Sequence, residues 1–196
     1  GILVDFITNI KGDPRLYGIL SLGFISAFKD DLAMSVIQAK AISQLRDALQ
    51  NEPHQHIKAA ACYALGHVGR HSAKHAKEVS DANVLSLMLF YFIDPNSTDD
   101  LKLKAKNALK KVIDTCSNLS ALEPLIHVAP DKILKHILQQ YVKNLKGNTE
   151  EMRAFAQNGG LQKIQEIKGR VSAKIQTLID EINSYYPADI VRYYTP

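Results

Sequence analysis

Apolar residues in the stretch 55–70 fall at Ile57, Ala60, Ala61, Ala64, Leu65 and Val68, spaced i, i+3, i+4, i+7, i+8 and i+11. Side chains three and four apart share one face of an α-helix, whereas a half-buried strand would alternate every second residue. The same reasoning predicts shorter helices over residues 31–38 and 41–50. Asp13-Pro14, Glu52-Pro53 and Asp94-Pro95 punctuate the chain just before or near the long helices, where the missing proline N–H is tolerated. Seven prolines and ten glycines are too few to break up the Ala-, Leu-, Ile-, Lys- and Gln-rich stretches between them, which favour helix.

The helical pattern repeats. Leu22-Gly23-Phe24-Ile25 superposes on Leu65-Gly66-His67-Val68 with a shift of 43 residues. That shift also carries Ala33 to Ala76, Val36 to Val79, Ala39 to Ala82, Ile42 to Leu85 and Leu45 to Met88. A shift of 44 takes Ile57 to Leu101, Lys58 to Lys102, Ala61 to Ala105, Leu65 to Leu109 and Val68 to Val112. Periods of about 40–47 residues belong to armadillo and HEAT repeats. The expected fold is therefore all-α, a right-handed α-solenoid of armadillo (HEAT-like) type with two shorter helices and one long helix per unit. Residues 1–168 are read as the repeats, the first truncated and the fourth irregular. The irregularity lies at residues 119–128, which compress two helices into one before a long helix runs from Pro130-Asp131 to Leu145. Helices over 150–157 and 161–167 follow, parted by Asn158-Gly159-Gly160. Residues 169–196 are read as a capping helix (171–184) and a tail. Gly23 and Gly66 sit mid-helix at the same repeat position. An interior glycine costs about 1 kcal/mol against alanine, so its recurrence points to close helix–helix approach.

Composition narrows the function classes. With 46% hydrophobic and 22% charged residues the chain is that of a folded domain, not a disordered one. Cys62 and Cys116 lack CxxC or zinc-ligand spacing, which predicts reduced thiols and a cytosolic setting. The run Val84–Ile93 is apolar nearly all round but only about half the ~20 residues of a membrane span. Burial between neighbouring repeats is expected of it, with any solvated part available to a protein partner. The chain opens directly in a helical pattern at Gly1, which reads as part of a longer protein. Its net charge of +4 is concentrated between Asp99 and Lys146, where nine lysines face five acids.

Several stretches together resemble one family. They are Ile57-Lys58-Ala59-Ala60-Ala61 running into Ala64-Leu65-Gly66-His67-Val68-Gly69-Arg70-His71, then Ala121-Leu122-Glu123-Pro124 and Ile133-Leu134-Lys135-His136. Gly159-Gly160-Leu161-Gln162-Lys163, Gln165-Glu166-Ile167 and the tail Ile190-Val191-Arg192-Tyr193-Tyr194 complete the set. These resemble the C-terminal part of the sperm-associated antigen 6 family of flagellar and ciliary proteins. The resemblance implies a non-enzymatic scaffold of the axoneme's central apparatus, serving central-pair microtubule organisation and flagellar motility. It implies a cytoskeletal location in cytoplasm and cilium, and axonemal partners with tubulin a candidate among them. Small-molecule substrate, cofactor, nucleic acid and membrane are not expected. The alternative is a soluble armadillo adaptor resembling nuclear-import or signalling adaptors.

Catalytic motifs (HExxH, P-loop, GxGxxG, GxSxG) do not occur in the sequence. His67, His71 and His75 are spaced for one helix face, but a helix end near His71 separates them, so no metal site is expected. Asp30-Asp31 and Asp99-Asp100 precede predicted helices, where they offset the positive helix end and act as caps. In armadillo repeats the long helix of each unit lines the concave surface. The groove positions expected here are Leu20/Phe24, Tyr63/His67, Asn107/Lys111 and His136/Gln140. Peptide-binding import adaptors carry Trp and Asn in such pairs, and this chain has no tryptophan. Lys102, Lys104, Lys106, Lys110 and Lys111, with Lys132 and Lys135, are expected to form a basic surface for an acidic protein partner. Nucleic acid fits less well, because arginine is absent from the segment and aromatics are scarce. The apolar tail at 190–194 is expected to fold back onto the repeats.

Overall fold

The computed structural model describes residues 1–195 and is helical throughout, without strands among the described residues. Its contacts divide it into two compact units, Gly1–Asn118 and a second beginning at Leu119. The first unit holds α1 (Ile2–Asn9), α2 (Asp13–Phe28), α3 (Asp30–Gln38), α4 (Ala41–Asn51), α5 (Gln55–Gly69), α6 (Ala73–Asp81), α7 (Val84–Ile93) and α8 (Asp99–Ile113). The second holds α9 (Leu119–Leu122), a 3-10 turn (Glu123–Leu125), α10 (Asp131–Leu145), α11 (Thr149–Gln157), α12 (Gly160–Lys168), α13 (Ala173–Asn183) and α14 (Ala188–Tyr194).

In the first unit the long helices α2, α5 and α8 lie side by side, with α5 in the middle and the shorter helices packed behind. The stripe predicted from sequence is buried at Ile57, Ala60, Ala61, Ala64, Leu65 and Val68, and burial extends further round α5 to Ala59, Cys62, Gly66, His67 and Gly69, because the helix lies between α2 and α8. Two glycines set how closely the long helices approach. A Cβ at Gly66 would lie 2.7 Å from the Cα of Ala108, and one at Gly23 would lie 2.8 Å from the Tyr63 ring and 3.2 Å from the Cα of Ala64. Both glycines are thus at equivalent close-packed positions, as the 43-residue register predicts.

The turn between the two short helices recurs as well. Lys40 (φ 61°), Asn83 (φ 55°) and Gly159 (φ 85°) each adopt the left-handed conformation just before α4, α7 and α12. Asparagine and glycine suit that region, whereas a lysine there is strained by its Cβ.

The acidic pairs differ from expectation. Asp30 and Asp31 are the first residues of α3 and Asp99 and Asp100 the first of α8, so they favour the helix dipole from within the first turn. Thr98 is the cap of α8, its side chain accepting from the Leu101 N–H, and Lys29 stands at the cap of α3 with no side-chain bond. The run Val84–Ile93 buries Val84, Leu85, Met88 and Leu89 but leaves Phe90 and Ile93 exposed.

In the second unit the irregular stretch is one turn of α-helix followed by one of 3-10 helix, and α10 packs on α13. The Tyr141 hydroxyl donates to the Leu119 carbonyl at 2.8 Å, and Tyr186 donates to Met152 O at 2.9 Å. The tail forms α14 and touches α12, but none of its residues is buried and Tyr193 is 81% exposed. Pro196 lies outside the described residues.

Candidate protein-binding groove

The three long helices of the first unit present side chains to a shared groove. Leu16, Leu20 and Phe24 of α2, His56, Ala60 and Tyr63 of α5, and Asp100 and Lys104 of α8 line a cleft of about 380 Å³. Tyr63, Gly66, Lys104, Asn107, Ala108 and Lys111 line a second recess of about 130 Å³ that shares Tyr63 and Lys104 with the first. The expected pairs Leu20/Phe24, Tyr63/His67 and Asn107/Lys111 therefore meet on adjoining helices. His136 and Gln140 stand on α10 of the second unit, Gln140 buried.

The groove is built around aromatic contacts. The Phe24 and Tyr63 rings meet edge to face at 5.7 Å, and Tyr63 and His67 lie 4.5 Å apart. The Lys104 ammonium sits 5.6 Å from the Tyr63 ring centroid, within cation–π range. Phe24 remains 62% exposed despite its ring contact. With Tyr17 and Phe28, also exposed, it forms an aromatic stripe at i, i+7 and i+11 along α2.

Electrostatics at the second recess are one-sided. Lys111 Nζ lies 2.8 Å from His67 Nε2. An ammonium can only donate, so Nε2 accepts and the imidazole proton must reside on Nδ1. That Nδ1 is buried without a hydrogen-bond partner, in a residue only 8% exposed. Burial above all, then the charges of Lys111, Arg70, His71 and Lys104, pulls the His67 pKa down to about 4. Burial, then Arg70 and Lys104, also lowers that of Lys111. Among the described residues no carboxylate lies within 4.0 Å of Lys104, Lys111 or Arg70.

A pH dependence follows from His67. Above the unfolded value near 6.5 both states are neutral and the group contributes nothing to the slope. Below it the unfolded chain takes up a proton that the folded chain refuses, so stability falls as pH drops from about 6.5 to about 4. The loss attributable to His67 is on the order of 2 kcal/mol. Urea denaturation at stepped pH should show that loss diminished in His67→Gln; an unchanged slope would mean that His67 is protonated in the fold.

The expected basic surface divides. Lys104, Asn107 and Lys111 face the groove, whereas Lys102, Lys106 and Lys110, at i, i+4 and i+8, follow the opposite flank of α8. Lys102 Nζ donates to Pro95 O at 3.2 Å on that side. All five are half-buried, and Lys132 (exposed) and Lys135 (half-buried) stand on α10 in the second unit. Three other histidines are occupied elsewhere. His71 Nε2 pairs with Ser26 O at 2.6 Å and His75 Nε2 with Asp30 O at 3.0 Å, while His56 meets Asp13 at 2.9 Å. No group of three or more His, Cys, Asp or Glu that could hold a metal occurs among the described residues. Both cysteines are buried and free, and burial pushes the Cys62 thiol up to about 12, so it is a poor nucleophile. No described helix is long and apolar enough to cross a membrane.

Sequence reasoning missed a buried ion network beneath the groove. Arg15, 0% exposed, donates from Nη1 to Glu52 at 2.8 Å and from Nη2 to Asp47 at 2.7 Å and Gln44 O at 3.3 Å. Glu52 in turn accepts from the Gly12 N–H at 3.3 Å.

Short helices backing a row of long ones that share a groove define an armadillo-repeat protein. Solved structures agree. A computationally designed armadillo-repeat protein for modular peptide recognition superposes with a TM-score of 0.62 at 15% identity, over 98% of this chain and 85% of that one. A designed armadillo-repeat protein in complex with the peptide (KR)4 gives 0.61 at 16% identity, over 94% and 80%. No protein-family model matches the chain. Sperm-associated antigen 6 of Mus musculus is 45% identical over 153 residues, and that of Homo sapiens 44% over the same length. By this similarity, which covers 78% of its residues, the chain belongs to the sperm-associated antigen 6 family. It spans about 30% of the length of these relatives.

Proposed function

We propose that the chain is a protein-interaction scaffold of the flagellar or ciliary axoneme, part of the central apparatus that organises the central-pair microtubules and supports beating. The observation that carries the binding role is the groove of the first unit, where Leu20, Phe24 and Tyr63 line an open cleft and Phe24 stays largely exposed. A mostly exposed aromatic beside a preformed apolar cleft is a ready docking point for a partner side chain. A designed armadillo-repeat protein of this fold is solved in complex with a (KR)4 peptide, which supports a peptide-binding reading of the groove. The axonemal setting rests on kinship with sperm-associated antigen 6. Proximity labelling with the tagged chain in a flagellated cell tests it. Axonemal proteins should be enriched, and Leu20→Ser/Phe24→Ser should lose that enrichment while remaining folded by circular dichroism. Neighbours drawn only from the soluble cytoplasm would overturn the axonemal assignment.

A further inference from the structure

We infer that the groove of the first unit takes an extended acidic segment, with an Asp or Glu carboxylate seated between Lys104 and Lys111 and a nearby large apolar side chain against Leu20, Phe24 and Tyr63. The inference rests on the groove being a peptide site, as proposed above, and adds the chemistry of its occupant. Elsewhere in the first unit several cations are matched internally: Lys11 by Asp47, Arg15 by Glu52 and Asp47, and Lys77 by Asp81. Lys104 and Lys111 are not, although both are half-buried and held in place, Lys104 over the Tyr63 ring and Lys111 on His67 Nε2. Asp100, one turn before Lys104, lines the same cleft yet makes no ion pair with it. The recess therefore keeps positive charge whose counter-charge the first unit does not supply.

Two further features favour a carboxylate on a peptide. His67 stays neutral, so the charge at the seat comes from Lys104 and Lys111, with Arg70 adding to it and the buried, unpartnered His67 Nδ1–H on the ring that Lys111 contacts. Next to it the cleft wall is apolar, and Asn107, exposed on the rim, offers both an amide donor and a carbonyl acceptor to a peptide backbone. An extended chain turns every second side chain to one side at about 6.6–6.8 Å spacing, so acidic and apolar residues can enter adjoining recesses. A basic segment such as (KR)4 would be repelled by the same lysines.

The test displays a random peptide library to the intact chain. Recovered sequences should carry Asp or Glu close to Leu, Phe, Met or Tyr. A fluorescein-labelled recovered peptide should bind about tenfold or more weakly to Lys104→Glu/Lys111→Glu and to the milder Lys104→Gln/Lys111→Gln. Lys102→Glu/Lys106→Glu makes the same charge change on the other flank and should shift binding less than about threefold. Recovery of basic or uncharged peptides that still need Phe24 and Tyr63 would overturn the acidic assignment while leaving a peptide groove. Equal losses in the two Glu pairs would show that net charge, not the seat, attracts the peptide, and would overturn it too. Recovery of no peptide would overturn both readings.

Discussion

Glu52→Ala should destabilise the protein by about 3 kcal/mol, among the largest effects of any single substitution. The Arg15 guanidinium has no access to water, and Glu52, itself 2% exposed, is one of its two anionic partners. Removing one member of a buried pair costs about 3–5 kcal/mol, because the survivor's charge is left without compensation. Asp47 remains bonded to Arg15, which places the loss at the lower end of that range. The urea midpoint should fall with an unchanged denaturant slope. Replacing the pair together, as Arg15→Met/Glu52→Leu, should recover most of the loss, since apolar groups of similar volume need no counter-charge. A loss below about 1 kcal/mol for Glu52→Ala would mean that water reaches the guanidinium.

The second large effect is expected at Gly66. Alanine is the better helix former by about 1 kcal/mol, so helix propensity alone predicts a gain. Packing predicts the reverse, because the new methyl would meet the backbone of Ala108 at 2.7 Å and its Cβ at 2.9 Å. Backbone cannot swing aside as a side chain can, so α8 must shift away from α5, and overpacking of this kind costs about 1–3 kcal/mol. The net expectation is a loss of about 1–2 kcal/mol and a melting temperature several degrees lower. At Gly23 the nearest atoms belong to the Tyr63 ring, which can rotate, so Gly23→Ala should cost less. A Gly66→Ala protein as stable as the parent would refute the close-approach account.

The repeats were legible because apolar spacing and a fixed period act on the same residues. The stripe Ile57 to Val68 predicts both the face of α5 and its match with α8, and the groove pairs follow because equal repeat positions point the same way. Residues whose role depends on distant partners were not legible. Arg15, near the start of a helix, reads as a solvated charge, and its acceptors Asp47 and Glu52 stand 32 and 37 positions away, off the repeat register. Lys40 carries no sign of its left-handed backbone, which the equivalent Asn83 and Gly159 do suggest. Composition alone groups the lysines of α8 into one surface, whereas their helical phase places Lys104 and Lys111 on one flank and the rest on the other. The apolar residues 190–194 predict a tail folded back on the repeats, and α14 does lie against α12, though shallowly, with none of its residues buried.

The junction between α2 and the repeat that follows it is fastened largely onto main-chain oxygen. Arg70 donates to Ala27 O at 2.6 Å, while the His71 and His75 rings hold Ser26 O and Asp30 O. Tyr91 similarly donates to Leu49 O at 3.0 Å. A carbonyl is present whatever side chain its residue bears. Mutational drift at Ala27 and Asp30 can therefore change those side chains and leave the fastening in place, whereas the side chains of Ser26 and Leu49 are themselves buried, and the donors at 70, 71, 75 and 91 have no such freedom. Tolerance to substitution should be lopsided across this seam, permissive at Ala27 and Asp30 and strict at the four donors.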